Sequence, residues 1–201
     1  MSPVAMFRLF PIACAFAAVG ALAAAPGNPA PEFTVNDTAG KPVKLSDYRG
    51  KFVVLEWTNP ECPFVRKHYN SSNMQDLQKE WGTQGVVWLA INSTNQRSDE
   101  FKTPQQMDAW MKAGGASPKA TLIDATSGTG RAYAAKTTPH MFVVDPAGKI
   151  VYNGAIDDKR SANPADVKTA KNFVRVALTE AMSGKPVSVA STAPYGCSVK
   201  Y

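Results

Sequence analysis

The sequence predicts a single α/β domain in which one mixed sheet is flanked by helices on both faces. Two continuous apolar runs, Phe52–Trp57 and Val86–Asn92, have the length and composition of strands that are buried on both faces of a sheet. A helical pattern separates them, as in a parallel crossover connection. The turn residues Asp145–Gly148 join two further strands, which predicts an antiparallel hairpin in the same sheet.

The amino-terminal residues 1–23 are predicted to be a secretory signal peptide. A short segment with one charge precedes the apolar run Leu9 to Leu22, and Ala-Leu-Ala at 21–23 suits cleavage after Ala23. The run is short for a membrane span, although an uncleaved anchor is the alternative. We therefore expect an exported protein, periplasmic or extracellular, without a membrane span after cleavage.

Composition excludes several classes of function. The formal charge of +6 comes from scattered lysines and arginines without a basic run, so no nucleic-acid partner is expected. Cys14 lies in the signal peptide, which leaves Cys62 and Cys197 in a compartment where disulfides persist. Two cysteines are too few for a cysteine-only metal site, and we expect neither a metal nor a cofactor.

The first part of the domain contains a proline-rich lead and a β extension. Residues 24–31 are predicted to be an extended linker, because prolines prevent regular structure there. Phe33–Asn36 and Val43–Leu45 are predicted to be two short strands that precede the main strand. Glu56 is the one charged residue in that main strand.

A helix is predicted to begin at Pro63, which would place Cys62 at the N-cap. Proline is favoured at the first helical position because its missing N–H has no partner there anyway. The positive end of the helix dipole then favours a thiolate over a thiol at Cys62, and Arg66, Lys67 and His68 would favour it further if they face the sulfur. A small buried cysteine without a chemical role is the alternative.

The remaining elements follow from local signals. The polar residues 70–73 predict a break in the first helix, and Thr103-Pro104 with Gln106 is typical of a helix start. Further strands are predicted at 120–123, 141–144 and 150–152, with a loop or short helix at 126–135. Asn163-Pro164 is predicted to open a last helix that ends at Gly184, and the tail after it has little regular pattern.

Four segments, in order, resemble a known family. They are Val43–Lys51, Asn59–Val65 around Cys62, Thr137–Asp145, and the tail Tyr195–Tyr201. The sequence is similar to the thioredoxin fold in its peroxiredoxin-like branch, also named redoxin or AhpC/TSA. The resemblance implies a three-layer domain at 32–185 with a central mixed sheet and an N-terminal β extension, and a C-terminal tail at 186–201 that carries Cys197.

The resemblance also implies roles for residues around the cysteine. In this fold the proline that matches Pro139 is cis, and the backbone of Thr138 lies against the reactive sulfur and pairs with partner chains. Pro63 and His140 would line the site, and Glu56 would transfer protons to and from sulfur. A trans proline at an edge strand, and a Glu56 paired with a nearby basic residue, are the alternatives.

The sequence departs from the family pattern near Cys62, which makes the cysteine of the tail important. Val65 replaces the second cysteine of a Cys-x-x-Cys motif, while Leu55 and Asn59 replace the proline and the threonine or serine of the peroxiredoxin signature. The peroxidase arginine also has no counterpart. Cys197 is then the one candidate for a resolving cysteine, on a mobile tail.

We therefore expect a thiol oxidoreductase whose partner is a thiol or disulfide protein or a peroxide. Two alternatives remain: a permanent structural Cys62–Cys197 disulfide, and a copper(I) carrier that adds His68 or His140 to the two cysteines. Arg131 and Asp157–Asp158 are near-site candidates by chain order, with solvated loop charges as the default.

Overall fold

A five-stranded mixed sheet forms the centre of the computed structural model, which describes residues 24–201. The strands of this part of the chain are β1 (Thr34–Asn36), β2 (Pro42–Lys44), β3 (Val53–Trp57), β4 (Val87–Asn92), β5 (Ala120–Ile123), β6 (Thr137–Thr138), β7 (His140–Val144), β8 (Ile150–Gly154) and β9 (Cys197–Ser198). The central order is β5-β4-β3-β7-β8, with β3, β4 and β5 parallel and β7 antiparallel to both of its neighbours. The predicted mixed sheet is confirmed.

Helices and a hairpin cover the two faces of this sheet. The helices are α1 (Pro63–Asn70), α2 (Asn73–Gly82), α3 (Pro104–Ala113), α4 (Gly128–Ala132) and α5 (Phe173–Met182), with 3-10 helices at Leu45–Tyr48 and Pro164–Thr169. Side chains alternate along each strand, so Val54 and Glu56 face one side while Leu55 and Trp57 face the other. The first side carries α1, α2, α3 and α5, and the second carries α4 and the antiparallel hairpin β1–β2.

The proline-rich lead is part of the domain, which corrects the linker prediction. The backbone of Gly27 donates to the Ile150 carbonyl at 2.8 Å, and that of Ala30 donates to the Gly148 carbonyl at 2.9 Å. Ala24 and Ala30 are buried, because the prolines hold an extended backbone that pairs with the edge of the β7–β8 hairpin. The predicted signal peptide, residues 1–23, lies outside the described residues.

Two helix predictions had different outcomes. The break after Asn70 is confirmed, since α1 ends there and Ser72 has a φ of 60° before α2 begins. The start of the last helix was wrong: Asn163 caps a 3-10 helix, and α5 begins only after Asn172, whose side chain accepts from the backbone of Arg175. The backbone of Phe173, the first residue of α5, donates to the Ile156 carbonyl at 2.9 Å.

The carboxyl-terminal tail packs against the domain. Its strand β9 pairs with β6 in antiparallel register, with Cys197 opposite Thr138 and Ser198 opposite Thr137. Farther along, the backbone of Asn95 donates to the Lys200 carbonyl at 2.7 Å. No helix within residues 24–201 is long and apolar enough to cross a membrane.

Candidate active site

Cys62 occupies the joint between β3 and α1. It is the N-cap residue with φ −76° and ψ 121°, and Pro63 follows as the first helical residue, as predicted. The turn before it is fixed by Asn59, whose side-chain carbonyl accepts from the backbone of Glu61 at 2.8 Å while its amide donates to the Thr94 hydroxyl at 2.9 Å. Cys62 is 1% exposed. The sulfur is therefore held at a helix start by a rigid turn.

The Cys62 sulfur lies against the backbone of β6. Its thiol donates to the Thr138 carbonyl oxygen, with sulfur and oxygen 2.9 Å apart. The Thr138–Pro139 peptide bond is cis, as the resemblance implied. The Cys62 sulfur and the backbone of β6 are thus in direct contact.

Cys197 joins the same site from the tail. Both Cys62 and Cys197 are free cysteines, and Cys197 sits opposite Thr138 in the β6–β9 pair. Gly196 allows this approach, because a Cβ on it would lie 2.1 Å from the Thr138 carbonyl oxygen. Burial and the neighbouring thiol and charge of Cys62 raise the pKa of Cys197 to about 12. Two thiols therefore converge on one backbone position.

A first buried polar cluster surrounds Glu56, and we name it the Glu56 cluster. It comprises Glu56, Tyr69, Gln78 and Trp88. The Trp88 indole donates to Glu56 Oε2 and the Tyr69 hydroxyl donates to Oε1, each at 2.8 Å. Burial raises the pKa of Glu56 to about 7, although these hydrogen bonds oppose the rise. Within residues 24–201 Glu56 has no basic partner, so the ion-pair alternative does not apply, and none of its hydrogen bonds reaches Cys62.

A second buried polar cluster joins α1 to the tail, and we name it the Lys67 cluster. It comprises Lys67, His68, Asp157 and Tyr195. The Lys67 ammonium lies 3.3 Å from Asp157 Oδ2 and 3.2 Å from the Tyr195 hydroxyl oxygen, and it donates to the Lys159 carbonyl at 2.7 Å. The Tyr195 hydroxyl in turn donates to Asp157. The side chains of Lys67 and Asp157 are 0% and 1% exposed.

His68 completes the Lys67 cluster as a neutral ring. Burial and the charge of Lys67 lower the pKa of His68 to about 3. The Asn73 amide donates to His68 Nδ1 at 2.9 Å, which places the ring proton on Nε2, 3.4 Å from the Tyr195 hydroxyl. Neither Lys67 nor His68 thus faces the sulfur of Cys62, contrary to the conditional expectation from sequence.

Arg66 also points away from the sulfur. Its guanidinium donates to the Pro60 carbonyl at 2.6 Å and to Glu61 at 2.8 Å, and its side chain is half exposed. Glu61 is shared with Lys102, which lies 2.6 Å from its other carboxylate oxygen. The arginine therefore braces the loop before Cys62 instead of contacting the thiol.

His140 is a core residue beside the site. Lys136 donates its backbone N–H to His140 Nδ1 at 3.2 Å, and His140 Nε2 lies 3.0 Å from the side-chain oxygen of Asn153. Burial lowers the pKa of His140 to about 4. Both ring nitrogens of His140 and of His68 are thus engaged, and residues 24–201 contain no group of three or more potential metal ligands.

Comparison with known proteins identifies the family. The model of the AhpC/TSA family matches residues 26–153, which include β3, Cys62, the cis proline and the β7–β8 hairpin. The chain belongs to the AhpC/TSA family. The predicted redoxin resemblance is thereby confirmed.

Relatives of this AhpC/TSA chain include thiol-disulfide oxidoreductases. It is 29% identical over 125 residues to the thiol-disulfide oxidoreductase ResA of Bacillus subtilis, covering 62% of this chain and 64% of ResA. It is 32% identical over 75 residues to a probable glutathione peroxidase 5 of Arabidopsis thaliana, covering 37% of this chain and 42% of that protein. The chain thus spans less than two thirds of the length of either relative.

Solved structures share the fold. An uncharacterized conserved protein from Geobacillus kaustophilus superposes with a TM-score of 0.77 at 28% identity, covering 89% of this AhpC/TSA chain and 93% of its own. The thioredoxin domain of a thiol-disulfide oxidoreductase from Bacteroides vulgatus superposes with a TM-score of 0.52 at 23% identity, covering 72% and 96%. The predicted thioredoxin-like fold is confirmed.

Sequence reasoning missed part of the candidate site. Asp157 was assigned by default to a solvated loop but is 2% exposed, and Tyr195 was not singled out for a role. Their contact joins positions far apart in the chain, and only the aromatic character of Tyr195 hinted at burial. Arg131 lies over the ring of Tyr201, with 4.7 Å to the ring centroid, and so braces the tail.

Proposed function

We propose that the protein is a thiol-disulfide oxidoreductase in which Cys62 attacks and Cys197 resolves. The observation that carries this proposal is the convergence of two free thiols on Thr138, whose carbonyl lies 2.9 Å from the Cys62 sulfur and whose strand position pairs with Cys197. The partner would be a protein that presents a disulfide. The predicted export of the chain would bring it to a compartment where such disulfides persist.

Each step of the proposed reaction exchanges one sulfur bond for another. The Cys62 thiolate attacks a partner disulfide, forms a mixed disulfide and releases one partner thiolate. Cys197 then loses its proton and attacks the Cys62 sulfur, which breaks the mixed disulfide and releases the second partner thiolate. The partner is reduced by two electrons, and a Cys62–Cys197 disulfide remains for an external dithiol to reduce.

The raised pKa of Cys197 supports this order of events. Burial raises the pKa of Cys197, whereas Cys62 occupies a helix start, a position that favours an anion, so we assign the attacking role to Cys62.

Peroxide reduction is the second candidate, supported by the match to a probable glutathione peroxidase. The Cys62 thiolate would take one oxygen from a hydroperoxide, becoming a sulfenic acid and leaving an alcohol or water. Cys197 would then condense with it, releasing water and forming the same disulfide. Arg66 is bound to Glu61 and Pro60 and is therefore not placed to aim a peroxide at Cys62.

Mass spectrometry of single-cysteine variants tests the proposal. With oxidised glutathione, we expect wild type to form the Cys62–Cys197 disulfide and Cys197→Ser to accumulate a glutathione adduct on Cys62. Cys62→Ser is the matched control, because it keeps Cys197, whose pKa is raised by burial, and should react more slowly. The absence of any adduct on Cys62 in Cys197→Ser would contradict the proposal. Hydrogen peroxide in place of oxidised glutathione tests peroxide reduction, the second candidate. That candidate predicts a sulfenic acid on Cys62 in Cys197→Ser.

The reduction potential separates an exchange disulfide from a permanent one. Exchange proteins have potentials between about −270 and −120 mV, whereas structural disulfides lie below about −300 mV. We expect the Cys62–Cys197 pair in the first range. A value far below −300 mV would favour the structural alternative, and stoichiometric copper(I) binding that either serine variant abolishes would favour the carrier alternative.

A further inference from the structure

The Lys67 cluster has an unusual composition for a buried site, since it holds a lysine and a carboxylate whose side chains are 0% and 1% exposed. Removing two charges from water is unfavourable unless their remaining hydrogen-bonding positions are filled. Asp157 and Lys67 come from the domain, one after β8 and one on α1. Neither would be fully satisfied by the other alone. Part of the remainder is filled by the backbone of Lys159, whose carbonyl accepts from Lys67 at 2.7 Å and whose N–H donates to Asp157 Oδ1 at 3.0 Å, and the last partner is supplied by the tail.

Tyr195 fills those remaining positions with one hydroxyl group. It donates to Asp157, accepts from the Lys67 ammonium at 3.2 Å, and lies 3.4 Å from His68 Nε2, so its one proton and both lone pairs have partners. Its ring contacts Phe64 edge-on, with the centroids 5.8 Å apart. The tail is thus held at Tyr195 by both polar and aromatic contacts.

This anchor lies close to both sulfur atoms along the chain. Lys67 is on α1, the helix that begins immediately after Cys62, and Tyr195 is separated from Cys197 by Gly196 alone. Gly196 has no room for a side chain against Thr138. Cys62 and Cys197 are therefore linked in two ways, through α1, Lys67 and Tyr195 and through the pairing of β9 with β6.

We propose that Tyr195 is a positioning residue that holds the Cys197 thiol against Cys62, through the Lys67–Asp157 pair. The inference rests on the proposed function, because it concerns the resolving step. Holding the two sulfurs together raises the effective concentration of one toward the other. Loss of a hydroxyl that bonds to charged groups should lower that concentration by about 10-fold or more.

Glutathione equilibria of wild type and Tyr195→Phe test the inference. In the reaction, the reduced protein and oxidised glutathione give the Cys62–Cys197 disulfide and two reduced glutathiones. We expect the equilibrium constant to fall ~10-fold or more in Tyr195→Phe, and the rate of release of glutathione from Cys62 to fall with it. Mass spectrometry after acid quenching measures both.

Tyr133→Phe is the matched control. It removes the hydroxyl of another buried tyrosine, which donates to the Pro31 carbonyl at 2.8 Å on the opposite face of the sheet. We expect its equilibrium constant to stay within about twofold of wild type, and urea unfolding establishes that both variants fold.

The possible outcomes distinguish failure of the positioning role of Tyr195 from failure of the proposed function. Equal equilibrium constants for wild type and Tyr195→Phe, both folded, would overturn the positioning role and leave the proposed function intact. An equal fall in both tyrosine variants would also overturn it, because the effect would then be general destabilisation. A wild type that forms no Cys62–Cys197 disulfide would overturn the proposed function itself.

Discussion

The two buried clusters beside α1 hold their carboxylates in opposite ways. Glu56 is surrounded by uncharged donors from Tyr69, Gln78 and Trp88, and burial raises its pKa to about 7. Asp157 lies instead against the ammonium of Lys67 and the hydroxyl of Tyr195. The first arrangement gives a group that gains and loses a proton near neutral pH, whereas the second gives a fixed joint between the domain and the tail.

The difference shows how one short helix serves two purposes. Tyr69 of α1 contacts Glu56 in the core beneath the sheet, and Lys67, two residues earlier, contacts the tail. Both residues are buried, yet they are directed to different neighbours because successive helical side chains project about 100° apart. The variants below should affect the two clusters separately.

The largest effect is expected from Lys67→Met. It leaves Asp157 buried without a cation, and breaking a buried pair from one side lowers the free energy of unfolding by about 3 to 5 kcal/mol. Urea unfolding measures this loss. Lys112→Met is the matched control, because Lys112 forms an exposed pair with Asp108 and should change stability by less than about 1 kcal/mol. A similar small loss in both variants would contradict the view of the Lys67 cluster as a joint.

Glu56→Gln should change the pH dependence of stability. The folded carboxyl has a pKa raised from 4.5 to about 7, so it stays protonated while that of the unfolded chain ionises. Wild type therefore loses stability as pH rises between these values, by an amount on the order of 3 kcal/mol, and the variant lacks that loss. Unfolding free energies measured from pH 4.5 to 8 should show the two curves diverging and then becoming parallel above pH 7. Curves that are parallel throughout would show that Glu56 does not titrate in this range.

Gly196→Ala should detach the tail from the Lys67 cluster. The new Cβ would lie 2.1 Å from the Thr138 carbonyl, so β9 must move away from β6, at a cost of about 1 to 3 kcal/mol. Hydrogen exchange should show lost protection of the Val199 amide, which donates to the Lys136 carbonyl. Gly184→Ala is the control: it has a φ of +72° with nothing within 4 Å, and should leave that amide protected. Retained protection in Gly196→Ala would contradict the fit described for the tail.

The smallest effects are expected when the tyrosine of the Glu56 cluster or of the Lys67 cluster is replaced by phenylalanine. Tyr69→Phe and Tyr195→Phe should each lower the free energy of unfolding by about 1 to 2 kcal/mol. The loss in Tyr69→Phe should grow as pH passes 7, because Glu56 then ionises and lacks a donor. Unfolding at pH 6 and pH 8 measures the change. A pH-independent loss in Tyr69→Phe would indicate that its hydroxyl does not matter to the charge on Glu56.

Local signals were sufficient to predict most of the fold. The apolar runs gave β3 and β4, the turn at Asp145–Gly148 gave the β7–β8 hairpin, and Pro63 placed Cys62 at a helix start. These features depend on residues close in sequence, where backbone geometry and side-chain periodicity act directly. The raised pKa of Glu56 was likewise predictable, because a charge within an apolar run must be buried.

The rest of the site depends on contacts between distant segments, which local patterns do not encode. A lysine is usually found at the surface, and nothing near Lys67 in the sequence indicates that Asp157 and Tyr195 enclose it. The two-residue strand β9 is too short to show alternation. The start of α5 was misplaced because Asn163 and Asn172 are both good caps, and only the pairing of Phe173 with Ile156 selects the second.

The close approach of Gly196 to Thr138 constrains the order of residues in the tail. Tyrosine, glycine and cysteine stand consecutively at 195–197, and each meets a separate physical requirement. Tyr195 anchors the tail, Gly196 leaves space where a side chain would clash, and Cys197 supplies the sulfur. A single inserted residue between Tyr195 and Cys197 would move the sulfur out of register with Thr138. The three residues of this Tyr-Gly-Cys tripeptide therefore cannot be separated without breaking the pairing of Cys197 with Thr138.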